Sequence, residues 1–104
     1  MTPSLLPTHR RPSSPGEIIT EEFLKPLDLT QQQLADAMKI SRVRINAILN
    51  GRRGITPDTA LRLERVLGPS AQFWLNLQMM VDLYDAMHSP SAREVQHLEV
   101  LVPA

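Results

Sequence analysis

No cysteine occurs in the 104 residues, and there are only four aromatic side chains and four glycines. The missing cysteine excludes a disulfide framework and a thiolate metal site. His9, His88 and His97 are widely separated, with no His or carboxylate neighbours at metal-ligand spacing, so they read as isolated surface histidines and no metal is expected. Long apolar runs are absent as well. No stretch approaches the ~18 apolar residues of a membrane span, and the N-terminus lacks the apolar segment of a signal peptide. A soluble, cytoplasmic protein with no membrane partner is expected. Nor is there a nucleophile beside a base, or a glycine loop that would cradle phosphate. The chain is therefore not expected to be an enzyme, to bind a cofactor or to take a small-molecule substrate; Asp82 and Asp85 read as a solvated helix edge.

An excess of either charge is also missing, since 11 Lys and Arg stand against 11 Asp and Glu. Zero net charge argues against a polyanionic partner until the charges are located. Between Thr30 and Thr56 the basic residues are Lys39, Arg42, Arg44, Arg52 and Arg53 and the only acid is Asp36, giving 5 − 1 = +4; the remainder carries 6 − 10 = −4. A local basic face is what phosphate binding requires. The acidic remainder suits solubility or a basic protein partner.

That basic segment also has the pattern of two short helices and a tight turn. Thr30 supplies an N-cap oxygen, and Leu34, Ala35 and Met38 fall on one helical face. Ile40 lies in the connection, Ser41 caps a second helix, and Asn50-Gly51 stops it because glycine takes the left-handed conformation at little cost. In the second helix Ile45, Ile48 and Leu49 form the inward stripe. Arg42, Val43, Arg44, Asn46 and Ala47 are left on or near the outer face, and these are residue types that reach base edges and phosphates. Lys39 holds the turn, where a non-glycine residue in a left-handed conformation costs on the order of 1 kcal/mol.

Residues 1–14 contain three prolines and no periodicity, predicting an extended or disordered tail in which Arg10 and Arg11 are within reach of phosphate. Ser14-Pro15-Gly16-Glu17 opens a helix of the capping-box kind, with Ile18, Ile19, Phe23 and Leu24 inward and Pro26 ending it. Arg52-Arg53-Gly54-Ile55 is a basic loop. Thr56-Pro57-Asp58 starts a fourth helix, with Ala60, Leu61, Leu63, Val66 and Leu67 inward, and Gly68-Pro69 stops it. Ser70 caps a fifth helix, Ala71 to about His88. Phe73, Leu77, Met80, Tyr84 and Met87 make one apolar stripe there, and Trp74, Leu75, Met79, Val81, Leu83 and Ala86 spread towards a second. One domain core does not require so wide a face, so part of it is expected to meet another subunit. After Ser89-Pro90, Ser91 and Glu94 can open a short turn. Leu98, Val100 and Val102 then alternate, favouring a strand over a helix. Its partner would be the same strand of a second subunit, an edge on a protein partner, or nothing, leaving the tail disordered. The expectation is an all-α, five-helix domain over 15–88, between a proline-rich tail (1–14) and an extension (89–104) read as a short strand or a dimerisation tail.

The Thr30–Gly51 pair resembles the helix-turn-helix of the Cro/phage-repressor superfamily, the lambda-repressor-like fold. Ala35 stands where the helices cross, Ile40 in the turn, and Ile45 and Ile48 behind the reading helix; Lys39 occupies a turn position that is often glycine. Over Pro15–Met87 the blocks PGEIITEEFLKPLDLTQQQLA, NGRRGITPDTALRLERVLG and FWLNLQMMVDLYDA resemble the HigA (VapI-like) antitoxins of toxin–antitoxin modules. The resemblance implies a helical homodimer that represses its own operon at a double-stranded, inverted-repeat operator and neutralises a co-encoded HigB-like toxin, a ribosome-dependent messenger ribonuclease. It places base contacts on Arg42, Val43, Arg44, Asn46 and Ala47, and phosphate contacts on Gln31, Ser41, Arg52 and Arg53. In such a dimer the reading helices sit roughly 34 Å apart, Arg42 or Arg44 pairs with guanine, and Asn46 meets adenine or a phosphate. A free-standing transcription regulator would use the same DNA residues. An interaction module built on helix five and the C-terminal strand, never touching DNA, is the third reading.

Overall fold

The structure, a computed structural model, describes residues 10–103. Readings that fall on residues 1–9, including His9 and most of the proline-rich tail, lie outside the described residues. The first helix runs through three contiguous stretches, α-helical Pro15–Ile19, a π-helical turn Thr20–Leu24 and α-helical Lys25–Leu27, treated together as α1. Then follow α2 (Gln31–Met38), α3 (Arg42–Leu49), α4 (Pro57–Leu67), α5 (Ala71–Met87) and a short α6 (Ala92–Gln96).

Among the described residues, five of the six helices start where a hydroxyl side chain predicts. Ser14, Thr30, Ser41, Thr56 and Ser70 each accept a hydrogen bond from the backbone N–H three residues on, satisfying a donor that the first turn leaves unpaired. At Thr30 the box is complete, because Gln33 Oε1 accepts the Thr30 N–H at 2.8 Å while Thr30 Oγ1 accepts the Gln33 N–H at 3.0 Å. Three helix ends share one device: Asp28, Lys39 and Gly51 take positive φ, and the next N–H reaches back to Leu24, Ala35 and Ala47 respectively. Two carbonyls that would otherwise be orphaned are satisfied at each end.

Pro26 does not end α1 but sits in its last turn. In a regular α-helix its ring would strike the carbonyl four residues back. Here the preceding turn is widened, with the Lys25 N–H bonded to Thr20 O, and the helix continues to Leu27.

The core is built around Trp74, which is wholly buried, donates Nε1–H to Pro69 O at 3.1 Å and meets Phe73 edge-on with ring centroids 5.0 Å apart. Ile19, Leu34, Met38, Ile45 and Leu63 are fully buried with it, and Ile48 is nearly so. Helix α4 packs along α5, α1 lies on α3 and α5, and α2 packs on α3 and α4, so the core backs both members of the α2–α3 pair. Two apolar assignments change. Leu61 faces out with 59% of its surface exposed, while Ala60 and Leu63 carry the inward side of α4. In α5 the deepest residues are Trp74 and Val81, two turns apart, whereas Phe73 and Met87 of the first stripe are exposed. The apolar excess remains on the surface as Met79, Leu83 and Met87.

The C-terminal strand does not form, and no strand occurs among the described residues. Residues 92–96 are helical, and Leu98, Val100, Leu101 and Val102 are exposed without a second strand to complete their hydrogen bonds. Ser91 precedes α6 without making a side-chain cap. Among the described residues no helix is long and apolar enough to cross a membrane.

Candidate nucleic-acid interface

Helix α3 is amphipathic in the sense the sequence predicts. Ile45 and Ile48 point into the core, while Arg42 and Val43 open its first turn to solvent, Val43 with 80% of its surface exposed. Ser41 Oγ accepts the Arg44 N–H at 3.1 Å, which fixes the hydroxyl at the start of α3 while the residue stays exposed.

Asn46 is the hub of the outer face. Its Nδ2 donates to Gln31 Oε1 at 3.2 Å, joining α3 to the first turn of α2, and its Oδ1 accepts from Arg52 Nη2 at 2.7 Å. Arg52 is also placed by its backbone, because the N–H groups of Arg52 and Arg53 both reach Ala47 O, at 2.9 and 3.2 Å. The loop beyond is fastened to α5: the Ile55 N–H donates to Gln78 Oε1 at 2.9 Å and the Gln78 amide donates to Asp82 at 3.0 Å. Arg42, Val43, Asn46, Ala47 and Arg52 consequently line one shallow concavity that contains no acidic side chain. Arg53 stands exposed beside it.

Arg44 is placed differently from the other site residues. It is half-buried, its Nη2 donates to Thr59 Oγ1 of α4 at 2.7 Å, and its Nε is buried without a hydrogen-bond partner among the described residues. Of the nine residues singled out from sequence, the structure gathers Arg42, Val43, Asn46, Ala47 and Arg52 around one concavity and bonds Gln31 to Asn46, leaves Ser41 and Arg53 exposed, and turns Arg44 towards α4. Thr59 escaped sequence reasoning; its position three residues after the Thr56 cap marked a helix start but not an acceptor for Arg44.

Arg11 is likewise spent within the chain. Its Nε and Nη2 donate to the two carboxylate oxygens of Asp85 at 2.9 and 3.2 Å, which lowers the Asp85 carboxyl below its usual range and raises the Arg11 guanidinium. Arg10 remains exposed.

The profile of the helix-turn-helix family matches residues 21–74, slightly more than half of the chain. The chain is 46% identical over 89 residues to virulence-associated protein I of Dichelobacter nodosus, covering 86% of this chain and 78% of that protein. It is 42% identical over 78 residues to antitoxin HigA-1 of Vibrio cholerae, covering 75% and 73%. Among solved structures, antitoxin HigA of Pseudomonas aeruginosa with the higBA promoter superposes with a TM-score of 0.81 at 40% identity, covering 88% of this chain and all of that one.

Proposed function

Because the chain belongs to the HigA-type family of helix-turn-helix antitoxins, we propose that it is a cytoplasmic DNA-binding antitoxin, which represses its own operon as a homodimer on an inverted-repeat operator and neutralises a co-encoded HigB-like ribonuclease. The observation that carries the DNA half is the acid-free concavity of Arg42, Val43, Asn46, Ala47 and Arg52 on an exposed helix face. In the major groove Arg42 reads guanine O6 and N7, and Val43 and Ala47 meet thymine methyl groups. Asn46 reaches adenine or a phosphate while holding Arg52. Gln31, Ser41, Arg52 and Arg53 hold the backbone and so fix register. A second copy meeting the exposed Met79, Leu83 and Met87 of α5 buries the apolar surface that one domain leaves open, and sets two α3 helices roughly 34 Å apart.

Co-expression with the adjacent reading frame, pull-down, and a mobility shift on promoter DNA at several salt concentrations test this reading. Capture of a small ribonuclease that loses its growth toxicity, together with a salt-dependent shift, is the expected result. A shift without capture leaves a free-standing regulator. Capture without a shift at any salt concentration leaves a protein-interaction module.

A further inference from the structure

We infer that Arg44 is a positioning residue: its guanidinium fastens the first turn of α3 to the first turn of α4 through Thr59, and operator binding depends on that fastening rather than on Arg44 reading a base. The inference rests on the operator-binding reading above.

Arg44 and Thr59 are each the third residue after an N-cap, Ser41 and Thr56, in their respective helices. The Arg44 Nη2 to Thr59 Oγ1 bond is 2.7 Å long and spans 15 residues of sequence. Thr59 is an unusually fixed acceptor. Only 1% of its surface is exposed, its N–H donates to Thr56 Oγ1 at 3.3 Å, and its own Oγ1 also accepts from Thr56 Oγ1 at 3.1 Å. The Arg44 Nε is buried with no hydrogen-bond partner among the described residues, a position that a solvent-facing reading pose would not take. Arg42, two positions earlier, stands exposed.

The tie matters because the backbones of α3 and α4 otherwise hardly approach one another, whereas α4 packs on α2 and α5. At the other end of the motif Arg62 Nη1 donates to Met38 O at 2.8 Å, with its Nε held by Asp58 at 2.9 Å. Helix α4 therefore grips both members of the pair, the C-terminal end of α2 through Arg62 and the N-terminal end of α3 through Thr59. The tilt of α3 decides where Arg42 and Val43 point, and base readout tolerates displacements of only about 0.5 Å in its supporting shell.

The test is a fluorescence-anisotropy titration on a duplex of the promoter region upstream of this reading frame, over several salt concentrations. It is repeated on duplexes with single base-pair replacements across the protected sequence. Parent, Thr59→Ser, Thr59→Val, Arg44→Met and the double variant Thr59→Val/Arg44→Met are compared, with thermal melts confirming that each is folded at the assay temperature. Thr59→Ser, which keeps the hydroxyl, is expected to bind like the parent. Thr59→Val and Arg44→Met are each expected to weaken binding about tenfold, and the double variant about tenfold rather than a hundredfold, since both remove one interaction. Base preferences and the salt slope stay unchanged. Relaxed preference at one base pair in Arg44→Met would make Arg44 a base reader, and a slope reduced by about one would make it a phosphate contact; either overturns the inference, as does an additive double variant. A parent that binds the duplex at no salt concentration overturns the operator reading itself, and this inference with it.

Discussion

Gly16 of α1 lies against the carbonyl of Ile48 in α3: a β-carbon at Gly16 would stand 2.5 Å from Ile48 O, 2.6 Å from Leu49 O and 2.8 Å from Leu49 Cα. All three are backbone atoms at the end of the reading helix and cannot rotate aside. Replacing a helical glycine by alanine ordinarily gains about 0.5–1 kcal/mol, but overpacking here costs more, typically about 1–3 kcal/mol. Gly16→Ala is expected to lower the melting temperature, by roughly 4–8 °C for each kcal/mol lost. Thermal unfolding followed by circular dichroism checks this, and a melt equal to the parent's would mean that α1 can slide on α3 without cost.

Lys39, at φ 60° and ψ 40°, carries the left-handed turn between α2 and α3. Its strain is of order 1–2 kcal/mol, and glycine relieves it while adding about 0.4–1 kcal/mol of freedom to the unfolded chain. Lys39→Gly is therefore expected to stabilise by about 0.5–1 kcal/mol, read as a melting temperature a few degrees higher. A variant that melts at or below the parent would show that the lysine side chain contributes something that offsets the strain.

These positions also mark where the sequence was legible. Capping depends on one hydroxyl and the N–H three residues on, so Ser14, Thr30, Ser41, Thr56 and Ser70 announced five helix starts without any knowledge of the fold. The 3.6-residue period placed Ile45 and Ile48 in the core and Arg42 and Val43 outside it. It had no power over Arg44, which flanks the apolar stripe and whose direction is decided by Thr59 on another helix. Distance in sequence hid the Arg11–Asp85 pair, 74 residues apart, in the same way. Pro26 misled because its usual effect presumes α-helical spacing, which the π turn alters. The alternation at 98–102 misled because period two describes a side chain's fit to a sheet, and no neighbouring strand occurs among the described residues to make one.

The Arg11–Asp85 pair makes a prediction in pH. The hydrogen bonds from Arg11 hold the Asp85 carboxyl below its ordinary value, against a smaller opposing desolvation. A depressed folded pKa means that the pair's contribution is present above the unfolded value of about 4 and is lost as pH falls through the folded one. Both side chains are about half exposed, so salt screens the interaction. In Arg11→Gln the Asp85 carboxyl carbon, followed by NMR, is expected to titrate at a higher pH than in the parent, with the difference shrinking at high salt. An unchanged midpoint would mean that the pair does not persist in solution.

Arg42 and Asn46 should fail in different ways when removed. Arg42 opens the first turn of α3 exposed and makes no side-chain hydrogen bond or ion pair among the described residues, so Arg42→Ala is expected to leave the melting temperature unchanged. On promoter DNA it should cost about 1–3 kcal/mol of binding and relax preference at one guanine position. Asn46 bonds Gln31 on one side and Arg52 on the other. Asn46→Ala therefore releases two residues assigned to phosphate as well as removing its own amide, and should weaken binding across all sequences, with a shallower salt slope than the parent. Parallel titrations on promoter duplexes carrying single base-pair changes distinguish the two patterns. If both variants bound as tightly as the parent and with the same preferences, the first two turns of α3 would not be the surface that meets the bases.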